Sequence, residues 1–179
     1  LAIAYYNKEK APAKALDVMK KALELDPSYP RFLQEYDQLL AKNNVSVKER
    51  LSVLEQYPHL LEERDVLYLE YITLLNKTGQ YDKALTCLKG HIFHPWEGGE
   101  GKVSGQYRYA LTEKALQEMD AGNYRDAIRL LTDTFTYPDN LGEGKLPNVQ
   151  DNMAEYYIGR CYEAMDEQEK AKEYFTRAS

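Results

Sequence analysis

Four alanines constrain this chain more than any other feature. Ala15 stands in ALDVMKKALELDP at 15–27, Ala84 in GQYDKALTCLKGH at 79–91, Ala127 in GNYRDAIRLLTDT at 122–134 and Ala171 in KAKEYFTRA at 170–178. Apolar residues follow each at helical spacing: Met19 and Ala22, Leu88, Leu131, then Phe175 and Ala178. Ala15 and Ala84 lie 69 residues apart, two 34-residue periods and one residue over, which leaves room for a unit centred near Arg50. The next two intervals are 43 and 44 residues, the same period lengthened by nine and ten. A small residue recurring in this way lets paired helices approach closely while an aromatic or leucine fills the adjacent groove. Alternating apolar and polar runs are almost absent, so the expected class is all-α, with about ten helices and no sheet.

The last unit carries the pattern most fully. Ile158-Gly159-x-x-Tyr162 supplies its first helix, and Ala171, Phe175 and Ala178 its second. Over nearly the whole length, the chain resembles the tetratricopeptide (TPR) family. That resemblance implies a TPR-like right-handed superhelix of about five antiparallel helix pairs with two enlarged inter-repeat loops. The units fall at about 1–27, 28–62, 63–95, 103–138 and 148–179, and the loops at 95–102 and 138–147. The second unit departs from the family: Arg50 stands where alanine is expected, and YPHLL interrupts the end of its second helix.

Both loops carry the tetrad Gly-Glu-Gly-Lys, within HPWEGGEGKVSG and YPDNLGEGKLPN. A phosphate-binding loop needs glycine, four residues, then Gly-Lys-Ser/Thr. For the first copy these outer positions hold Trp96 and Val103, and for the second Asp139 and Leu146, so neither copy grips a nucleotide. The tetrads follow from repetition. Stacked repeats set equivalent connections along one edge, which places the two loops within about 20 Å of each other. A narrower resemblance covers roughly residues 50–179: HPWEGGEG, YPDNLGEGK and the YYIGRCYEAM helix are similar to the C-terminal TPR tail of large bacterial proteins. Those proteins carry an upstream aldose-epimerase-like domain of unknown function. The resemblance implies that this is a fragment of a longer chain and that it packs against or completes a carbohydrate-related domain.

Two surfaces are candidates for interaction. The first is the loop edge, comprising Trp96, Glu97, Glu100, Tyr107, Asn140 and Glu143. Trp96 is the chain's single tryptophan; it either plugs the seam between helix pairs or presents its ring to a sugar face or a protein. Glu97, Glu100 and Glu143 could also be read as an acid/base set of the kind glycosidases use, or as residues contributed to an active site shared with the upstream domain. Loops this rich in glycine build no enclosed pocket of their own, and no catalytic residue is assigned. The second is the concave groove, which by register includes Leu69, Thr73, Asn76, Tyr109, Thr112, Tyr156 and Arg160. Phe32, Glu35, Leu39, Leu116 and Glu163 extend it, and a free peptide-binding adaptor would use this face. The positions that hold lysine and asparagine in TPR carboxylate clamps are mostly apolar or acidic here, which argues against co-chaperone activity.

His91 and His94 have a His-x-x-His spacing with Glu97 three residues on, but Pro95 breaks the helix that a zinc site would need. No metal or cofactor is expected. A net charge of −6 argues against nucleic acid, whose phosphates need clustered Lys and Arg. No stretch free of Asp, Glu, Lys and Arg exceeds seven residues, which argues against a membrane span. Cys87 and Cys161 stand alone and suit a reducing compartment. With no signal-type segment at Leu1, the expected location is cytoplasmic. Sixteen tyrosines fit helix surfaces that are part packed and part wet. The expectation is a non-enzymatic scaffolding module with a protein partner, its own upstream domain or another polypeptide, and with carbohydrate at the loop edge as a further partner.

Overall fold

The computed structural model describes residues 2–7 and 11–179. Every regular element among them is helical: α1 (Ala2–Asn7), α2 (Pro12–Leu25), α3 (Pro30–Lys42), α4 (Val47–Leu54), α5 (Pro58–Leu61), α6 (Asp65–Lys77), α7 (Tyr81–Gly90), α8 (Lys102–Asp120), α9 (Tyr124–Asp133), α10 (Asn152–Ala164) and α11 (Gln168–Ala178). A single 3-10 turn spans Asp139–Leu141. The chain forms two compact units, Leu1–Thr78 and Gly79–Ser179. In the first, α2 packs on α1 and α3, and α4 on α3 and α6. In the second, α8 lies between α7 and α9, and α10 between α9 and α11. The additional short helix α5 is made by the YPHLL stretch. Pro58 occupies its first turn, where the missing N–H is not needed, and so starts a new turn after α4 has ended at Leu54.

The repeat is written into the backbone. Asn44, Gly79, Gly122 and Asp166 all have positive φ, between 58° and 79°. Each stands in a short turn between consecutive helices, where a left-handed residue ends the first of them; α3 and α4, α8 and α9, and α10 and α11 are packed pairs. The alanines meet their expected role: Ala15, Ala84 and Ala127 have no exposed surface and Ala171 only 2%. In the second unit Ala115, Ala127, Leu131, Ala154, Ile158 and Cys161 form one core cluster. Gly159 serves close approach there, since a Cβ at that position would come 2.7 Å from the Phe175 ring.

Arg50 solves the missing alanine of the second repeat differently. Its side chain is buried in the first unit, where Nε and Nη2 donate to the two Asp37 oxygens at 2.9 and 2.7 Å. Nη2 also donates to Glu70 Oε1 at 2.6 Å. Three charges from α3, α4 and α6 thus hold together a place where the other repeats use small apolar packing.

Of the sixteen tyrosines, only Tyr68, Tyr71 and Tyr107 are buried and only Tyr29, Tyr109 and Tyr156 are well exposed, so most sit half-packed between helices as their amphipathic rings favour. The two thiols differ in accessibility. Cys161 has no exposed surface, and burial pushes its thiol up to about 11, whereas Cys87 is half-buried. A thiol-reactive aromatic disulfide is therefore expected to modify Cys87 in the folded protein and Cys161 only after denaturation, because the thiolate is the nucleophile. Equal rates at the two sites in native protein would contradict the packing of α10.

Candidate interaction site at the paired loops

The nine- and ten-residue insertions lie between α7 and α8 and between α9 and α10, both in the second unit. They are not merely neighbours on one edge; they are hydrogen-bonded to each other. The Phe93 N–H donates to the Asn140 carbonyl at 2.8 Å. The Asn140 side chain donates Nδ2 to the carbonyls of Leu88 (2.8 Å) and His91 (2.7 Å), taking up acceptors at the end of α7. Glu143 does the reciprocal job at the start of α8: Oε2 accepts the Gly101 N–H and Oε1 the Ser104 N–H, both at 2.7 Å. A carboxylate there satisfies donors with no intrahelical partner and faces the positive end of the helix dipole. The second loop is thus a clasp that caps two helices flanking the first.

The backbone shape of the clasp depends on Gly142. Its φ is +71°, and a Cβ would come 2.4 Å from the Phe93 carbonyl oxygen. Leu141 and Phe93 are buried beside it at 1% and 2% exposure. Farther along, Arg108 of α8 donates to the Tyr137 hydroxyl at 3.0 Å and to the Gln150 carbonyl at 2.9 Å, and Lys145 pairs with Asp151. Residues 95–101 are non-helical as expected, but Lys102 already belongs to α8, and the second loop includes the 3-10 turn.

Between the loops opens a cleft of about 320 Å³, lined by Trp96, Pro95, Val103, Leu141 and Leu146, with His94, Glu97, Glu100 and Glu143 beside them. Trp96 is half-buried, and its ring lies against Gly99, where a Cβ would come 2.3 Å from it. The ring packs on Gly99 within its own loop and keeps part of its surface in the cleft. Glu97 and Glu100 are exposed. Among the described residues no three His, Cys, Asp or Glu side chains converge on a metal position.

The structure sorts the sequence candidates. Trp96, Glu97 and Glu100 meet in the cleft. Glu143 lines it too, but both its oxygens are taken by α8, so the triple-carboxylate reading loses a member. Asn140 holds α7 and is not among the cleft residues. Tyr107 has to be corrected: it is 3% exposed, and burial raises its hydroxyl pKa, with the charge of Asp133 adding to the shift. Its position on α8 turns it into the core. In the first unit, Leu69 (6% exposed) and Asn76 (1%) are buried rather than lining an open groove, Leu39 likewise, and Thr73 donates its hydroxyl to the Leu69 carbonyl at 2.8 Å. In the second unit Tyr109 (44%) and Tyr156 (43%) are exposed, Arg160 is also exposed, and Thr112 is half-buried. Arg160 donates to the Tyr156 hydroxyl at 3.1 Å and to Glu163 at 3.1 Å. The sequence candidates did not include Gly99, Val103 and Leu146. The signal for Leu146 was a second leucine closing Gly-Glu-Gly-Lys in an otherwise polar loop.

No protein-family model matches the sequence. Among solved structures, the chain is similar to a crystal structure of MamA with a TM-score of 0.55 and 16% identity, covering 95% of this chain and 88% of that one. A second MamA crystal structure gives a TM-score of 0.57 and 17% identity, covering 99% of this chain and 85% of that one. At such identity the likeness speaks to fold alone, and the fold is a TPR-like all-helical one. No helix of the described residues is long and apolar enough to cross a membrane.

Proposed function

We propose that this chain is a non-catalytic protein-interaction module whose clasped loops pack against a carbohydrate-related domain of the same polypeptide. The cleft supports this most directly. A tryptophan held half-open by Gly99 and surrounded by leucine, valine and proline has the makings of a contact anchor, because flat aromatic rings with part of their surface free dominate many interfaces. The likeness of HPWEGGEG and YPDNLGEGK to bacterial TPR tails behind sugar-related domains is what suggests this partner and a bacterial source. Capture of Glu143 by α8 weighs against the reading in which the loops complete an active site. The cytoplasm is the proposed compartment, consistent with two free cysteines.

The test uses Trp96 as the chain's own reporter. Titration with the domain that precedes this chain in its polypeptide is expected to shift Trp96 fluorescence saturably. Calorimetry on Trp96→Ala is expected to show binding weakened about tenfold or more, with helical content unchanged. A domain that binds wild type and Trp96→Ala equally well would remove the loop edge from the interface.

A further inference from the structure

We propose that the Trp96 cleft receives an arginine side chain of the protein partner. The inference rests on the loop-edge reading above and gives that contact its chemistry. The charge of the cleft points one way: it is lined by Glu97, Glu100 and Glu143, while no lysine or arginine lines it. Apart from His94 the rest of its lining is apolar or glycine, with Leu141 buried and Leu146 and the Trp96 ring half-buried. A ligand that fits must therefore pair an apolar body with a cationic, planar end. An arginine side chain does so, since its methylene stem lies along apolar surface and its guanidinium stacks on an indole face while donating to carboxylates. Glu143 is tied to the start of α8, whereas Glu97 and Glu100 are exposed, Glu100 accepting only the Gly98 N–H at 3.3 Å, so these two are the carboxylates placed to receive the guanidinium. A sugar hydroxyl face would gain the aromatic surface but nothing from the negative charge of Glu97 and Glu100, and a carboxylate-bearing ligand would be repelled by it.

The Trp96 indole N–H resonance can be followed while the chain is titrated with N-acetyl-arginine amide, its uncharged isostere N-acetyl-citrulline amide, and methyl β-glucoside. A saturable shift is expected with the arginine probe alone, tightening as salt is lowered. The Glu97→Gln/Glu100→Gln double variant, altered only at exposed positions, should weaken it about fivefold. Gly99→Ala, which drives a methyl group into the indole, should abolish it. Equal shifts with citrulline or glucoside, or no saturation with arginine, would overturn the proposal. Addition of the neighbouring domain then separates the two readings. If that domain displaces the arginine probe, both hold; if it does not bind while the arginine probe does, the own-domain reading fails and the cleft chemistry survives. A domain that binds without displacing the probe would refute arginine as the contact.

Discussion

Replacing Asp37 with alanine is expected to destabilise the first unit by about 3–5 kcal/mol, the cost of stranding a buried charge. Arg50 is buried, and two of its donor nitrogens point at Asp37, which is 2% exposed. Glu70 cannot compensate fully, because its side chain is 39% exposed and meets only Nη2. Burial raises the Asp37 carboxyl pKa above its usual range, and the Arg50 guanidinium opposes that shift. The pair is a state that becomes costly when half of it is removed, because the remaining charge stays buried. The double variant Asp37→Leu/Arg50→Met is accordingly expected to recover most of the loss, as buried pairs exchanged for apolar side chains of similar volume often do. Urea unfolding followed by circular dichroism measures both variants, and amide exchange in α3, α4 and α6 locates the effect. A loss below about 1 kcal/mol for Asp37→Ala would show the pair to be solvated and incidental. The pH dependence has a definite sign. A carboxyl that titrates higher in the fold than in the unfolded chain contributes most below its unfolded value. Its contribution falls as pH rises through the interval up to the folded value, so mild acid should not loosen this cluster.

The second large effect is expected at the clasp. Gly142→Ala places a methyl group 2.4 Å from the Phe93 carbonyl oxygen and forces a left-handed backbone on a residue with a Cβ. The conformational term alone costs about 1–2 kcal/mol, and the clash adds to it. Glu143→Ala removes the acceptor of two N–H groups at the start of α8 and is expected to cost about 2–3 kcal/mol. Glu143→Gln keeps an acceptor but loses the charge, so it should fall between wild type and alanine. Trp96 lies in the cleft beside both residues, so its emission should move to longer wavelength and its unfolding midpoint to lower denaturant in Gly142→Ala and Glu143→Ala. Wild-type stability and emission in Gly142→Ala would mean that the loops are not clasped in solution.

The periodic part of this molecule was legible in the residues themselves. Ala15, Ala84, Ala127 and Ala171 reported the helix pairs because only a small side chain fits where two helices touch, and all four are buried. Glycine, proline and acidic residues marked where the extra residues would go, because such stretches cannot continue a helix. What those stretches do was beyond local reading. Asn140 and Glu143 looked like exposed loop polar groups, yet they bond to residues 39 to 52 positions away. Loops have no period, so only the meeting of the two loops assigned those partners. Leu69 and Asn76 were placed on an open groove by register counting and Tyr107 on the loop edge as a neighbour of Trp96, and all three are buried. One position along a helix turns a side chain by about 100°, so a small register error exchanges groove for core. Arg50 shows the same division of labour. The chain alone marked it as a misfit in an alanine position, and only the approach of Asp37 and Glu70 from two other helices made that misfit a charged core.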